Sequence, residues 1–231
     1  MRKSEKIALV TGANKGIGFE VARQFAAKGF RVLLGARNEK AGRAAAQKIG
    51  PPATFLKIDV SDPVSIREAV AELASMVDHL DVLVNNAGII VDGDDAILKA
   101  TPDQFETTMR TNTLGPLMVA QAFQPMLANS SAPRIVNVSS SGGQLHDGAD
   151  GWSTVYCISK TALNGVTSQL AAALPKFAVN SVCPGWARTD MGGPNATRSV
   201  EQGADGIVWL AAAAPQNLTG KFLQDHKVIP W

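Results

Sequence analysis

The chain has 231 residues and a mass of 24.2 kDa, with 45% hydrophobic and 18% charged residues, which excludes both a disulfide-stapled mini-protein and a wholly disordered chain. A net charge of +2, from 22 basic and 20 acidic side chains, is too small and dispersed for a nucleic-acid surface, so any anion must bind locally. Cys157 and Cys183 have neither CxxC nor Cys/His spacing and are expected to be buried, reduced thiols, with no metal site.

The basic opening leads straight into a glycine-rich turn, where an export signal would need its apolar stretch. The longest apolar runs, such as 206–214, fall far below the ~20 residues that span a bilayer. A cytoplasmic protein with no membrane partner is therefore expected.

Residues 7–11 form an apolar run, followed by a glycine turn and a segment whose Phe19, Val21, Ala22, Phe25 and Ala26 recur at helical spacing. Gly29 stops that helix, 31–36 reads as a second strand, and 39–48 as an alanine-rich helix. A strand at 53–58, a helix at 63–78 capped by Asp62, and a very apolar strand at 81–84 follow. Next come a long helix over 102–127, a strand at 134–138, a helix at 154–173 and a strand at 177–182. A last helix over 200–213 precedes a short apolar segment at 220–223. Strands alternating with helices predict an α/β fold: a doubly wound parallel sheet, its strands buried on both faces, with helices on either side. The polar stretches 88–100, 141–152 and 185–199 each follow a strand, where such sheets build their ligand crevice.

The first turn reads Thr11-Gly12-Ala13-Asn14-Lys15-Gly16-Ile17-Gly18. Glycines there permit a tight turn and close approach of a pyrophosphate, whose charge meets the free N–H groups and positive dipole end of the next helix. At the end of the second strand, where an acid would hold a ribose diol, the chain has Leu34-Gly35-Ala36-Arg37. Arg37 and Lys15 can converge on a 2′-phosphate with no acid to repel it, which favours NADPH over NADH; the alternative is that both are solvated surface cations. Asp59 can accept from an adenine amino group or serve as a helix-entry residue.

Tyr156, the sole tyrosine, and Lys160 lie four apart and share one helix face. An adjacent ammonium would lower the phenol's pKa and make it a usable acid–base group. Ser139, Ser140 and Ser141 end the strand at 134–138, where a hydroxyl can hold a carbonyl oxygen. Asn85, Asn86, Ala87 and Gly88 close the fourth strand, and Asn112 interrupts the long helix.

In order, TGANKGIG, NNAG, the TNTLG around Asn112, IVNVSS, YCISK and CPG resemble the motifs of the short-chain dehydrogenase/reductase family over almost the whole chain. The segments GANKGIG and PGWARTDMGGPNATRSVEQGAD most resemble its carbonyl reductase-like members. The resemblance implies one Rossmann-type domain over residues 1–231 and a tetrad of Asn112, Ser140, Tyr156 and Lys160. Ser140 is preferred over Ser139 because the family's motif uses its second serine.

It further implies hydride transfer from NADPH to an aldehyde or ketone carbonyl without a metal. Tyr156 would protonate the oxygen held by Ser140, Lys160 would hold the nicotinamide ribose, and Asn112 would hold a water that links Lys160 to solvent. The expected cofactor set is Gly12, Asn14, Lys15, Gly16, Ile17, Gly18, Arg37, Asp59, Val60, Asn86, Ala87, Gly88, Tyr156, Lys160, Pro184, Gly185 and Thr189.

Ser140 and Tyr156 are separated by a few more residues than in many members, yet the long insertion that some carbonyl reductases carry before the tyrosine is missing. Residues 224–231 also replace the usual glycine-rich ending. The partners expected are a small-molecule carbonyl substrate and a second copy of the chain, as homodimer or homotetramer through the helices near 102–127 and 154–173. Rival readings are an NAD(P)-dependent alcohol dehydrogenase working oxidatively and a non-catalytic NADPH sensor. His146, Trp152 and Trp186 stand in the expected substrate loops, where they either touch substrate or are simply solvated or packed.

Overall fold

The computed structural model describes residues 5–231. Among these, eight strands form one sheet: β1 (Ile7–Thr11), β2 (Arg31–Ala36), β3 (Ala53–Lys57), β4 (Val82–Asn85), β5 (Arg134–Val138), β6 (Ala178–Val182), β7 (Lys221–Gln224) and β8 (Lys227–Ile229). Their order is β3-β2-β1-β4-β5-β6-β7-β8. All neighbours pair in parallel except β7 and β8. The described α-helices are α1 (Gly16–Ala27), α2 (Glu39–Ile49), α3 (Pro63–Met76), α4 (Pro102–Met109), α5 (Gly115–Ala128), α6 (Thr154–Ala173) and α7 (Val200–Ala212).

The period-2 geometry of the strands sorts their apolar runs into two cores. Ala8, Val10, Val32, Leu34 and Val84 face Val21 and Phe25 of α1 and Ile207 of α7. Their neighbours Leu9, Leu33 and Leu83 face Ile66 and Leu73 of α3 and Phe123 of α5. Phe25 and Phe123 are fully buried, each contributing roughly 1.5–3 kcal/mol of transfer free energy. Helix starts follow their caps. Asp62 accepts from the Val64 N–H and precedes Pro63, while Thr101/Gln104 and Ser199/Gln202 form reciprocal capping boxes. Strand order reverses between β1 and β4, which opens a crevice at their carboxyl ends.

Several expectations need correction. The interruption expected at Asn112 is a wide turn, Arg110–Leu114, with i→i+5 bonding, which divides the helix over 102–127 into α4 and α5. Pro116 has no N–H to return to the Asn112 carbonyl, so the regular ladder cannot pass that point. The short apolar segment at 220–223 supplies β7, and one further strand follows it. β8 folds back antiparallel through Asp225 and His226, both in the left-handed region (φ 50 and 63). No Asn-Gly or Asp-Gly signal marks that hairpin; the turn is held by tertiary partners, with Arg198 on Asp225 and Asp205 on His226.

Burial on both faces holds for the inner strands but not for β3, β7 or β8 at or near the sheet edges. The helix at 63–78 ends at Met76 because Val77 is already extended. Cys183 is buried, but Cys157 is only partly so. Among the described residues no helix is long and apolar enough to cross a membrane.

Candidate active site

The carboxyl ends of β1 and β4 are laced together before any ligand is considered. The Thr11 hydroxyl accepts from the Asn86 and Ala87 backbone N–H groups (3.1 Å each), and the Asn86 amide donates to the carbonyls of Thr11 (3.0 Å) and Gly12 (3.2 Å). Asn86 is therefore occupied as a brace, leaving the backbone of Ala87 and Gly88 at the crevice.

Gly12 has φ +64, and a Cβ there would stand 2.9 Å from the Ala87 Cα. A Cβ on Gly18 would collide with the Asn86 amide and the Gly12 carbonyl. These two glycines are thus required by close approach. The turn delivers the chain to the start of α1, which has no side-chain cap and no acid in its first turn. Its free N–H groups suit a phosphate. The residues present fit the pyrophosphate of a dinucleotide.

Lys15 lies at the mouth of this turn with its Nζ 2.7 Å from Asp190, both side chains largely exposed. Arg37 is exposed at the end of β2. Asp59 uses one carboxylate oxygen on the Ser61 N–H (2.9 Å) and hydroxyl (2.6 Å), as a turn residue would, and its second oxygen remains. Thr189 packs against the other side of the turn, its Cγ2 3.3 Å from where a Gly16 Cβ would stand. Gly185, φ +71, lies under the Arg198 guanidinium, which forms a two-pronged ion pair with Asp225 (2.6 and 2.7 Å).

Across the crevice the structure brings Ser140, Tyr156, Lys160 and Asn112 together. Ser140 accepts from the Gly142 N–H (3.1 Å), which leaves its own proton free to donate. Ser139, by contrast, is buried with its hydroxyl directed to the Lys160 carbonyl. Lys160 Nζ donates to the Val138 carbonyl (2.8 Å) and stands 5.5 Å from the centre of the Tyr156 ring. A Cβ on Gly88 would be 3.4 Å from both the Lys160 Nζ and the Asn112 Oδ1, so all three line one space. The Asn112 side chain is fully engaged: Oδ1 accepts from the Ile89 N–H (2.8 Å), and Nδ2 donates to the Ile89 carbonyl (2.8 Å) and the Ser159 hydroxyl (3.0 Å).

Burial raises the Tyr156 phenol well above its ordinary value, with the Ser140 hydroxyl acting the other way, and lowers Lys160 to about 8. The expected contact between the Lys160 ammonium and the phenol oxygen is not the one formed. Desolvation dominates, and the ammonium bonds to Val138 rather than to the phenol oxygen.

Behind the site a buried chain runs from Asn85 to Asn137 (2.9 Å), Thr167 (2.8 Å) and Ser181 (2.8 Å), tying β4, β5, α6 and β6 together. The Trp152 ring lies 5.9 Å from that of Tyr156, beside a cavity of about 230 Å³ lined by Ile97, Gly142, Gln144, Trp152, Cys157 and Ile158 among others. Trp186 is half exposed and donates to the Gly192 carbonyl (2.8 Å). His146 is a solvated loop residue beside Asp147.

A model of the short chain dehydrogenase family matches residues 6–199. The chain belongs to the short-chain dehydrogenase family. Among its relatives, carbonyl reductase [NADPH] 1 of Mus musculus is 35% identical over 284 aligned positions covering all of both chains. That span exceeds the 231 residues here, so the relative carries segments this chain lacks. The (+)-neomenthol dehydrogenase of Arabidopsis thaliana is 34% identical, covering 90% of this chain and 92% of that protein. In structure, this short-chain dehydrogenase resembles an NADPH-bound carbonyl reductase from chicken fatty liver, with a TM-score of 0.90 and 30% identity over 98% of this chain and 99% of the other.

Sequence reasoning missed the buried carboxylate of Asp94, which bonds the start of α6, and the strap formed by Pro230 and Trp231. Gln144 donates to the Pro230 carbonyl (2.9 Å), and Trp231 stacks on Phe222 with ring centres 5.8 Å apart. Neither has a local pattern, because both partners are far away in sequence.

Proposed function

We propose that the protein is an oxidoreductase that reduces the carbonyl group of aldehydes or ketones with NADPH, acting as one domain over residues 1–231. The observation that carries this reading is the geometry at the crevice: the only phenol of the chain stands beside the Ser140 hydroxyl, with the Lys160 Nζ 5.5 Å from its ring and Gly88 opening the space in front of Lys160 and Asn112. Reduction needs a proton at the carbonyl oxygen, and the phenol is the group placed to give it.

The glycine turn and α1 receive the pyrophosphate, Arg37 and Lys15 the 2′-phosphate, and Lys160 the nicotinamide ribose. For Lys15 this means exchanging its exposed partner Asp190 for the phosphate, at little cost for a solvated pair. NADPH, when bound, supplies a hydride to the carbonyl carbon. Ser140 donates to the carbonyl oxygen and orients it; Tyr156 delivers its proton to the same oxygen as negative charge develops there. Lys160 then stabilises the phenolate. Asn112 lies in the wide turn where Pro116 withdraws the regular donor from its carbonyl, and we assign to it the water that returns the proton. The printed names of the relatives, carbonyl reductase [NADPH] 1 among them, support the same cofactor and reaction class.

Trp152, next to Tyr156, forms one apolar wall for the substrate. The test is NADPH consumption with quinones, diketones and aromatic aldehydes, repeated with Tyr156→Phe; near-wild-type rates in the variant would overturn the assignment. Helix α5 has no charged residue and the one charge of α6, Lys160, is buried, which supports pairing of two copies through these helices. Light scattering reads the resulting dimer or tetramer directly, and a monomer at assay concentration would refute it.

A further inference from the structure

The start of α6 is unusual for the helix that carries the proton donor. Its N-cap residue, Ser153, sits in the left-handed region (φ 38, ψ 62), makes no side-chain capping bond, and has no acid after it in the first turn. The missing acceptor comes from another loop altogether. Asp94 is only 5% exposed, and its carboxylate accepts from the Val155 N–H (2.8 Å), the Tyr156 N–H (2.9 Å) and the Thr154 hydroxyl (3.2 Å). Among the described residues no lysine, arginine or histidine pairs with it, so its buried charge is balanced by helix N–H groups and the positive end of α6.

The loop that carries Asp94 is itself held. Asn112 grips both backbone groups of Ile89, and Gln104 donates to the Asp92 carbonyl (3.0 Å). Gly93, φ +77, lets the chain turn there. On the far side of the same residue, the Tyr156 carbonyl accepts from the Ser159 hydroxyl (2.6 Å), which accepts in turn from Asn112 (3.0 Å). The backbone of Tyr156 is therefore clamped at both its N–H and its carbonyl, and both clamps trace back to Asn112 and the 89–94 loop.

We propose that Asp94 is a positioning residue for the reaction: an N-cap supplied from outside the helix that sets where the Tyr156 phenol stands relative to Ser140 and Lys160. This inference rests on Tyr156 being the proton donor. Its physical basis is that proton transfer depends steeply on donor placement, while NADPH binding draws chiefly on the glycine turn and Arg37, which Asp94 does not touch.

The experiment compares Asp94→Ala and Asp94→Asn with the wild type in carbonyl reduction, alongside NADPH affinity measured by fluorescence titration. Asp94→Ala is expected to lower kcat about 100-fold, the scale of an ångström-sized misplacement, with NADPH affinity held within about twofold. Asp94→Asn keeps one accepting oxygen and is expected to lose about tenfold, the equivalent of one charge-assisted hydrogen bond. A kcat for Asp94→Ala within about threefold of wild type overturns the proposal, as does NADPH affinity that falls in step with kcat. If the alanine variant does not fold, the asparagine variant decides, and an unchanged kcat there overturns it. Tyr156→Phe runs in parallel. An inactive Tyr156→Phe beside a fully active Asp94→Ala defeats this inference alone, whereas an active Tyr156→Phe defeats the proton-donor reading and this inference with it.

Discussion

The two ends of the sheet are built from similar residues and put them to opposite use. At the amino end, beside a cavity of about 310 Å³, Asp81 bonds the Ile7 N–H (2.8 Å), the Ser130 hydroxyl (2.5 Å) and His79 Nε2 (3.3 Å), while His79 Nδ1 bonds Asp78 (2.7 Å). The polar groups there satisfy one another and close the start of β1 and β4. At the carboxyl end, the first turn of α1 lacks a cap, the Ser140 hydroxyl stands beside the Tyr156 phenol, and Tyr156 and Lys160 sit in surroundings that disfavour their charged forms. A cavity by itself therefore does not mark the site, and the chemistry we propose lies at the end where polar groups are held short of full satisfaction.

That contrast breaks most visibly at Tyr156. Replacing it by phenylalanine is expected to lower kcat by about 10²–10⁴-fold, the usual worth of a positioned acid, with NADPH affinity and thermal stability nearly unchanged in titration and unfolding assays. Next in size, Arg37→Ala is expected to raise the KM for NADPH about tenfold and leave that for NADH alone, since only NADPH carries the 2′-phosphate. If both cofactors weaken equally, the phosphate assignment fails.

A third effect is a pH dependence. Because burial brings Lys160 down to about 8, kcat/KM for NADPH should decline as the pH rises through that value and the ammonium is lost. A profile flat from pH 7 to about 9.5, below the ordinary lysine value, would count against Lys160 as a cofactor contact.

At the amino end the expected effects are on stability alone. Asp81→Ala should cost about 1–3 kcal/mol in denaturant unfolding, by stranding the Ile7 N–H, and leave kcat intact. The smallest effect is a tilt with pH. The Asp78 carboxylate, followed by the Asp81 charge, raises His79 above its ordinary value against some desolvation. A raised folded value means protons bind the folded state more tightly, so the stabilisation is complete below about 6.5 and fades as pH rises through the folded value. Wild type and His79→Gln should therefore differ more in melting temperature at pH 5.5 than at pH 9; an equal gap at both would remove the charge from the account.

Much of this architecture could be read locally. Apolar runs bounded by glycine turns located β1 to β6 to within a residue or two, because burial on both faces leaves a continuous hydrophobic signature. Asn112 marks the interruption of the long helix in the sequence, but only its grip on Ile89 and Ser159 explains how the break is held open. β8 left no local mark, because its turn residues adopt left-handed conformations that tertiary ion pairs support.

The sequence by itself determined the α/β layering, the glycine turn, and the identities of Ser140, Tyr156, Lys160 and Asn112 as candidates. The layering, the glycine turn and the Tyr156/Lys160 pair depend on residue type at a spacing of a few positions, whereas the choice of Ser140 and the role of Asn112 come from the resemblance to the short-chain dehydrogenase family. Only the tertiary structure decided that Ser139 faces the protein while Ser140 faces the crevice, that the Tyr156 phenol is buried with the Lys160 ammonium on the Val138 carbonyl, and that a carboxylate on a distant loop caps the helix which carries it. Those outcomes turn on desolvation and on contacts between residues far apart in the chain, neither of which spacing encodes.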